Sequence, residues 1–171
     1  MQGFKEYKAL GDDMNKILPR VGVSKVIGFL EVVHDNNDSA ETIQLAADLD
    51  LEIDDLLPVL DAAELLDFIE VKSGRVSLTP TGKKFVENNL LERRGLLRDQ
   101  VTKIDTIKQV LDALKTKKNK KMSKKNLLKL FKSTMPAKDA ESNTRFVIDW
   151  GRHTEILGYN SENEEIYLIS E

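Results

Sequence analysis

The chain has 171 residues, of which 40% are hydrophobic and 32% are charged, as in one folded globular domain or two small ones. It has no cysteine and only two histidines, His34 and His153, which excludes disulfides, thiolate metal sites and histidine-based metal clusters. No signal peptide and no apolar run near the ~20 residues of a membrane span is visible, so we expect a cytoplasmic protein without a metal or cofactor.

The net charge of −3 conceals an opposition between the two halves of the chain. Residues 1–85 carry 9 Lys or Arg and 16 Asp or Glu, a balance of −7. Residues 86–171 carry 17 and 13, a balance of +4. A division of this kind indicates two functionally different halves.

The first half predicts helices followed by a β-hairpin. Apolar residues at roughly helical spacing up to Pro19 predict an N-terminal helical extension over residues 1–20. Three helices follow, in VSKVIGFLEVV, in SAETIQLAADL with Ser39 and Thr42 as caps, and in IDDLLPVLDAAELL. The runs on either side of Ser73-Gly74 predict a hairpin. Three helices and a hairpin outline a winged-helix-like unit over residues 21–86.

The segment TPTGKK, residues 79–84, raises the question of a phosphate-binding loop. Such a loop requires G-x-x-x-x-G-K-[ST], but Ser77 stands five residues before Gly82 and Lys84 occupies the Ser/Thr position. Thr79 and Pro80 instead suit the cap and first turn of a helix. We therefore interpret Gly82-Lys83 as part of a helix start and expect no nucleotide there.

The second half repeats this plan. An apolar stripe from Val101 to Leu114 predicts a long connecting helix over residues 87–114. A lysine-rich loop, a helix capped by Ser123, a longer helix and a hairpin in LGYNSENEEIYLI predict a second winged-helix-like unit over residues 115–171. The exits of the two third helices, AELLDF and TEILGY, match at a separation of 91 residues. The predicted fold is mainly α with two small β-hairpins, in tandem winged-helix-like (winged helix-turn-helix) units joined by a long helix.

Three runs of this sequence resemble a known family: IGFLEVV, LAADLDLEIDDLLPVLDAAELLDFIEVKSGRVSLTPTGKKFVE and FVIDWGRHTEILGYNSENEEIYL. They resemble the AAA-associated C-terminal domain, found behind the ATPase subunit of nitrate-, sulfonate- and bicarbonate-type ABC transporters. The similarity covers about residues 19–169, with DDLLP to LLDF, LTPTGKKF and IDWGR as the most specific motifs. It implies an accessory domain fused to, or working beside, a transporter ATPase. The chain has no ATPase domain, Walker motif or signature loop, so it is a stand-alone relative or a fragment, and its start at Met1 favours the former.

Winged helices most often bind DNA through their third helix, and the two halves suit that role differently. Between Val26 and Val71 stand 13 acidic residues and no Lys or Arg, a charge that would repel phosphates. Residues 115–132 contain nine lysines and no acid. Seven of these lysines form a candidate patch for nucleic acid or anionic lipid: Lys115, Lys117, Lys118, Lys120, Lys121, Lys124 and Lys125.

A solubilising loop is the alternative interpretation of this lysine-rich segment. Base readers usually add Arg, aromatic or amide groups, which the segment lacks. The third helix of the second unit carries Arg145 and Arg152, but acidic residues accompany them: Asp139, Glu141, Asp149 and Glu155. Nucleic acid is therefore disfavoured as a partner.

No motif indicates catalysis. Paired carboxylates such as Asp54-Asp55 occur without a predicted cleft, and no G-x-S-x-G nucleophile motif is present. Trp150 in IDWGR is interpreted as a core anchor rather than a ligand contact. We expect a protein that is not an enzyme and has no catalytic, cofactor or metal site.

The connecting helix supplies the case for protein interaction. Its middle, NNLLERRGLLRDQV, could join the two units, form a homodimer seam or dock on an ATPase subunit through Leu90, Leu91, Leu96 and Leu97. The predicted function is a non-catalytic accessory or regulatory module of an ABC-type nitrate, sulfonate or bicarbonate transporter ATPase, located peripherally near the membrane. The alternative is a winged-helix DNA-binding transcriptional regulator that uses residues 115–132.

Overall fold

The structure, a computed structural model, describes residues 17–169. These residues form eight helices and two three-stranded antiparallel sheets, which confirms the mainly helical fold class. They divide into a first unit of residues 21–100 and a second unit of residues 17–20 and 101–169. The N-terminal helical extension predicted over 1–20 lies outside the described residues up to residue 16. The winged-helix description of the units and the predicted domain limits stay predictions.

The first unit packs four helices, most of a fifth helix and a small sheet around one apolar core. On α1, apolar residues three or four positions apart, among them Val26, Phe29 and Leu30, face inward and are at most 1% exposed. The sheet has the strand order β1-β3-β2. The elements are α1 (Val23–Asp35), β1 (Ser39–Glu41), α2 (Thr42–Asp48), α3 (Ile53–Leu65), β2 (Ile69–Lys72), β3 (Arg75–Leu78), α4 (Pro80–Glu87) and, up to Gln100, α5 (Leu90–Thr102).

The sheet contains a third strand that the sequence did not predict. Ser39, predicted as a helix cap, lies in β1 and pairs with Ser77 on β3. Thr42, the other predicted cap, donates from both its backbone N–H and its hydroxyl to the carbonyl of Gly74, at 2.8 and 2.7 Å. The capping role predicted for Ser39 and Thr42 is therefore wrong, because both hydroxyls serve the sheet and α2 begins without a side-chain cap.

The TPTGKK segment starts α4, as predicted. The Thr79 hydroxyl accepts the N–H of Gly82 at 3.0 Å and donates to the carbonyl of Asp67, while Pro80 occupies the first turn. A Cβ on Gly82 would lie less than 3.0 Å from the carbonyl oxygen of Phe68. Close packing of the helix against the backbone therefore accounts for the glycine of GKK.

The continuous helix predicted over 87–114 is wrong, because the chain breaks it into α4, α5 and α6 (Asp105–Thr116). At the first break Asn88 is extended, with φ −94° and ψ 163°, and the Asn89 side chain accepts the N–H of Glu92 at 3.0 Å. At the second break Ile104 is extended and buried. Asparagine side chains compete with helical hydrogen bonds and favour caps, so the Asn88-Asn89 pair ends one helix and starts the next.

Arg93 holds the start of α5 against the first unit. Its guanidinium donates to the carboxylate of Glu31 at 2.8 Å and to the carbonyl of Val86 at 2.6 Å. It also lies 5.4 Å from the centroid of the Phe85 ring, within the range of a cation–π contact. Up to Gln100, α5 is therefore a packed part of the first unit rather than a free rod.

The second unit has the same order of elements after α6. The Ser123 hydroxyl accepts the N–H of Asn126 at 3.0 Å, which confirms the predicted cap. Trp150 is 0% exposed and stacks on Phe146 with ring centroids 5.1 Å apart, which confirms the predicted core anchor. The remaining elements are β4 (Lys121–Ser123), α7 (Lys124–Lys132), α8 (Ala137–His153), β5 (Leu157–Asn160) and β6 (Glu165–Leu168), with strand order β4-β6-β5.

The two units share one backbone framework. In each, the last residue of the third strand and the first residue of the second helix make equivalent hydrogen bonds. These are Leu78 N–H to Asp38 O (2.9 Å) with Leu168 N–H to Lys120 O (3.0 Å), and Thr42 N–H to Gly74 O with Lys124 N–H to Glu164 O, both 2.8 Å. Asp38 and Lys120 both have positive φ, 68° and 54°. The units therefore correspond element by element, with a separation of 82 residues at Asp38 and Lys120 and of 90 residues at Leu78 and Leu168.

The exits of the third helices set the register of this repeat. Asp67 and Glu155 adopt the left-handed conformation, with φ 60° and 59°, and the next residue bonds back to the helix in the same way. These bonds run from Phe68 N–H to Ala63 O and from Ile156 N–H to Gly151 O. At these helix exits the two units correspond at a separation of 88 residues. The predicted match at 91 residues is wrong by three residues, about one helical turn, because aligning the apolar residues of AELLDF and TEILGY does not align the backbone.

Candidate functional site

An exposed leucine pair begins α5. Leu90 and Leu91 are 83% and 79% exposed, at the end of the helix that Asn89 caps and Arg93 anchors. Leu97 is 2% exposed and packs in the core, and Leu96 is half-buried. Of the four leucines predicted to contact a partner, the structure thus leaves two fully accessible.

The seven predicted patch lysines lie on the surface of the second unit. All are exposed, from Lys115 near the end of α6, through the loop and β4, to Lys124 and Lys125 in the first turn of α7. Within the described residues, one of the seven forms an ion pair, Lys115 with Asp112 at 4.0 Å. Lysines in a first helical turn add to the positive end of the helix dipole, so this surface attracts anions.

A groove of about 540 Å³ lies between α7, α8 and the edge strand β5, a volume within the range of ligand and peptide sites. Its floor contains the apolar side chains of Leu128 and Ile148. Cationic and acidic side chains stand along the floor, and the full lining is Lys124, Leu128, Glu141, Thr144, Arg145, Ile148, Asp149, Arg152 and Tyr159. Sequence reasoning singled out the arginines but missed the groove, which three separate elements create.

The two groove arginines are available to an external partner. Arg145 and Arg152 are exposed and lie seven residues apart on one side of α8, a separation of about 10.5 Å along the helix. Among residues 17–169, no carboxylate oxygen lies within 4.0 Å of either guanidinium. Guanidinium groups in this state suit bidentate contact with carboxylates or phosphates.

The corresponding face of the first unit is acidic. Under the 88-residue correspondence, Arg145 and Arg152 match Leu57 and Glu64 on α3, and Asp149 matches Asp61. Ile53, the residue before Asp54 at the start of α3, is 44% exposed. The first unit therefore presents an acidic helix where the second unit presents a groove with three cationic side chains, Lys124, Arg145 and Arg152, and two carboxylates, Glu141 and Asp149.

Burial and, to a smaller extent, the neighbouring Glu64 carboxylate raise the pKa of Asp61 from its ordinary value of 3.8 to about 6. Because the folded-state pKa lies above that of the unfolded chain, the folded state holds the proton more tightly. The contribution of Asp61 to stability is therefore most favourable below about pH 4 and declines as the pH rises towards about 6.

Asp61→Asn should stabilise the protein at pH 7. The full pKa shift corresponds to about 3 kcal/mol, and solvent screening of this half-exposed group reduces the expected gain to about 1 kcal/mol. The gain should vanish near pH 4, where the wild-type carboxyl is already protonated in the folded state. Urea unfolding at the two pH values measures it; an equal gain at both would contradict the assignment.

Across residues 17–169, no cluster of three or more His, Cys, Asp or Glu side chains has an arrangement suited to a metal ion. The helices in the same range include none whose length and apolar character would let it cross a bilayer.

Comparison with known proteins adds one family. Residues 43–160, more than half of the chain, match the family model of the C-terminal AAA-associated domain. The match runs from α2 to β5 and includes both LTPTGKKF and IDWGR, which confirms the predicted resemblance. No curated protein and no solved structure is significantly similar to the chain.

Proposed function

The chain belongs to the C-terminal AAA-associated domain family, and from this membership we propose that it is a non-catalytic accessory module that binds and regulates a transporter ATPase subunit. The family match over residues 43–160 is the observation that carries the proposal. The family name supports association with an AAA-type ATPase. The ABC transporters of nitrate, sulfonate or bicarbonate are proposed as the class of partner because of the motifs DDLLP to LLDF, LTPTGKKF and IDWGR.

The Leu90-Leu91 pair is proposed as the contact with the ATPase. Burying a leucine side chain stabilises a complex by about 1.5–3 kcal/mol, and both side chains are almost fully exposed in the free chain. The Asn89 cap and the Arg93 contacts hold the helix that presents them, so little ordering cost accompanies binding.

Isothermal titration with a purified ABC-type ATPase subunit that lacks this C-terminal domain tests the proposal. We expect binding of the wild-type chain and a Kd at least ~100-fold weaker for Leu90→Glu/Leu91→Glu, since two glutamates cannot be buried in an apolar contact. Leu130→Glu, which changes a 37% exposed leucine in the second unit, is the matched control and should bind like the wild type.

An ATPase subunit that already carries a fused domain of this family provides a second arm. Its own domain should occupy the contact, so the added chain should bind it weakly or not at all. Absence of binding to both subunits, or binding unaffected by Leu90→Glu/Leu91→Glu, would contradict the proposal.

Nucleic-acid binding is a second candidate, favoured by the seven exposed lysines. The exposed carboxylates of Glu141 and Asp149 beside Arg145 and Arg152 oppose it, because they would face the phosphates. We expect labelled duplex DNA to bind with a Kd no tighter than about 10⁻⁶ M at physiological salt, without sequence preference. Sequence-specific binding at about 10⁻⁸ M would favour the DNA-binding regulator instead.

A further inference from the structure

Two helices at equivalent places in the repeated framework carry opposite charges at the same spacing. On α3, Asp54 and Asp61 lie seven residues apart with Leu57 between them. On α8, Arg145 and Arg152 also lie seven residues apart, with Ile148 between them. Each pair spans two helical turns, about 10.5 Å along the axis, and the members of a pair fall on one side of their helix. Two such helices laid side by side can pair both charges at once.

The surroundings of these pairs extend the complementarity. The chain from Val26 to Val71, which contains α3, has no Lys or Arg, and the run of residues 115–132 beside the groove has no Asp or Glu. The groove lining itself holds Glu141 and Asp149 as well as its three cations, so the opposition of charge lies between the acidic α3 and the arginine pair with its lysine-rich neighbour. Opposed surface potentials of this kind accelerate encounter and fix register. Each face alone has the ordinary character of a charged surface, and only their comparison shows the match.

Apolar side chains are exposed in both units. Ile53, the residue before Asp54 at the start of α3, is 44% exposed, and Ile43 at the start of α2 is 75% exposed. The groove offers an apolar floor of Leu128 and Ile148 with the Tyr159 side chain beside it. A helix with apolar side chains among acidic ones is the kind of segment that such a groove holds.

We propose that the chain associates with a second copy of itself, by seating the acidic face of α3 of one copy in the α7–α8–β5 groove of the other. Each copy carries both surfaces, so in the two-fold dimer proposed here the contact would be made twice. This inference goes beyond the proposed function and does not depend on it.

The state of Asp61 in the single copy is consistent with an external partner. Its carboxyl is half-buried, Glu64 is close by, and among residues 17–169 no Lys or Arg nitrogen lies within 4.0 Å of it. Burial without a cation raises its pKa. A guanidinium placed beside it would offset that cost, because an opposite charge favours the ionised form.

Charge reversal on each face separately provides the test, with sedimentation velocity as the readout. The wild type should dimerise at micromolar concentration and weaken as salt is added. Arg145→Glu/Arg152→Glu makes both faces acidic, and Asp54→Lys/Asp61→Lys makes both faces basic. Each variant alone should dimerise at least ~100-fold more weakly than the wild type.

Mixing the two variants in equal amounts should restore a dimer within about tenfold of the wild-type affinity. In the mixed dimer the acidic α3 of one variant faces the cationic groove of the other, and the basic α3 faces the acidic groove. The matched control, Lys129→Glu/Lys132→Glu, makes the same charge change on exposed α7 lysines outside the groove lining and should dimerise like the wild type. Leu90→Glu/Leu91→Glu should do so too, which separates this contact from the proposed ATPase contact.

Far-UV circular dichroism checks that each variant is folded, and Arg145→Gln/Arg152→Gln replaces the reversal if it is not, with dimerisation again weakened. A wild type that remains monomeric at about 100 µM would overturn the proposal. So would dimers that survive either reversal, a variant mixture that stays monomeric, or a dimer that Leu90→Glu/Leu91→Glu abolishes.

Discussion

Gly82→Ala is expected to lower the free energy of unfolding by about 3 kcal/mol or more, although it adds a single methyl group. The new Cβ would overlap the carbonyl oxygen of Phe68, which is backbone and cannot rotate away. That oxygen also accepts the N–H of Thr79 at 3.0 Å, so moving it would disturb the junction between β2 and α4. Urea unfolding followed by far-UV circular dichroism measures the loss.

Gly28→Ala is the matched control. Gly28 lies within α1 and a Cβ there would have no neighbour within 4 Å, so alanine should stabilise the protein by about 0.5–1 kcal/mol through helix propensity. Opposite signs for the two substitutions would show that packing, rather than a phosphate contact, requires the glycine of GKK. A Gly82→Ala protein as stable as the wild type would contradict this explanation.

Trp150→Ala is expected to cost about 3–5 kcal/mol, by leaving a large cavity in the second unit. Trp150 is 0% exposed, stacks on Phe146 and precedes Gly151, where a Cβ would come within 3.0 Å of the Leu157 side chain. With the neighbouring glycine already in close contact, the site has little freedom to collapse around the cavity. Far-UV circular dichroism during urea unfolding measures the effect.

Trp150→Phe is the control for this change. Phenylalanine keeps an aromatic partner for Phe146 and most of the buried area, so it should cost only about 1–2 kcal/mol. Because Trp150 is the chain's one tryptophan, wild-type fluorescence reports unfolding of the second unit alone. A small effect of Trp150→Ala would show that the IDWGR tryptophan has a role other than packing.

Local features of the sequence were sufficient to predict most helices. Apolar spacing identified α1 and α3, and the hydroxyls of Thr79 and Ser123 cap α4 and α7 as predicted. These features act within one or two turns of chain, so a pattern of neighbouring residues contains the information. Pro80 likewise acts within the first turn of its own helix. Glycine is required at position 82 because of the carbonyl of Phe68, which only the fold brings close.

Features that depend on distant residues could not be predicted. β1 has three residues and pairs with β3 more than 30 residues away, so Ser39 resembled a cap in the sequence. The break at Asn88-Asn89 was missed because the apolar stripe of residues 101–114 was extended back to residue 87 as one helix. The 88-residue register became visible only through the left-handed residues Asp67 and Glu155, which alignment of side-chain types does not detect.

The interaction surfaces were predicted in part for the same reason. The leucines of NNLLERRGLLRDQV are alike in the sequence, and only the fold decides that Leu97 is buried while Leu90 and Leu91 are exposed. The groove around Arg145 needs α7 and β5 beside α8. The chemistry of the side chains could be predicted from the sequence, whereas their arrangement in space could not.

The most direct test of the account is the mass of the complex formed by this chain and an ABC-type ATPase subunit that lacks the domain, measured by light scattering during size-exclusion chromatography. We predict co-elution at the summed mass of the two partners, in a fixed stoichiometry, and separate elution with Leu90→Glu/Leu91→Glu. Separate elution of the wild-type chain and the ATPase subunit at concentrations well above micromolar would contradict it.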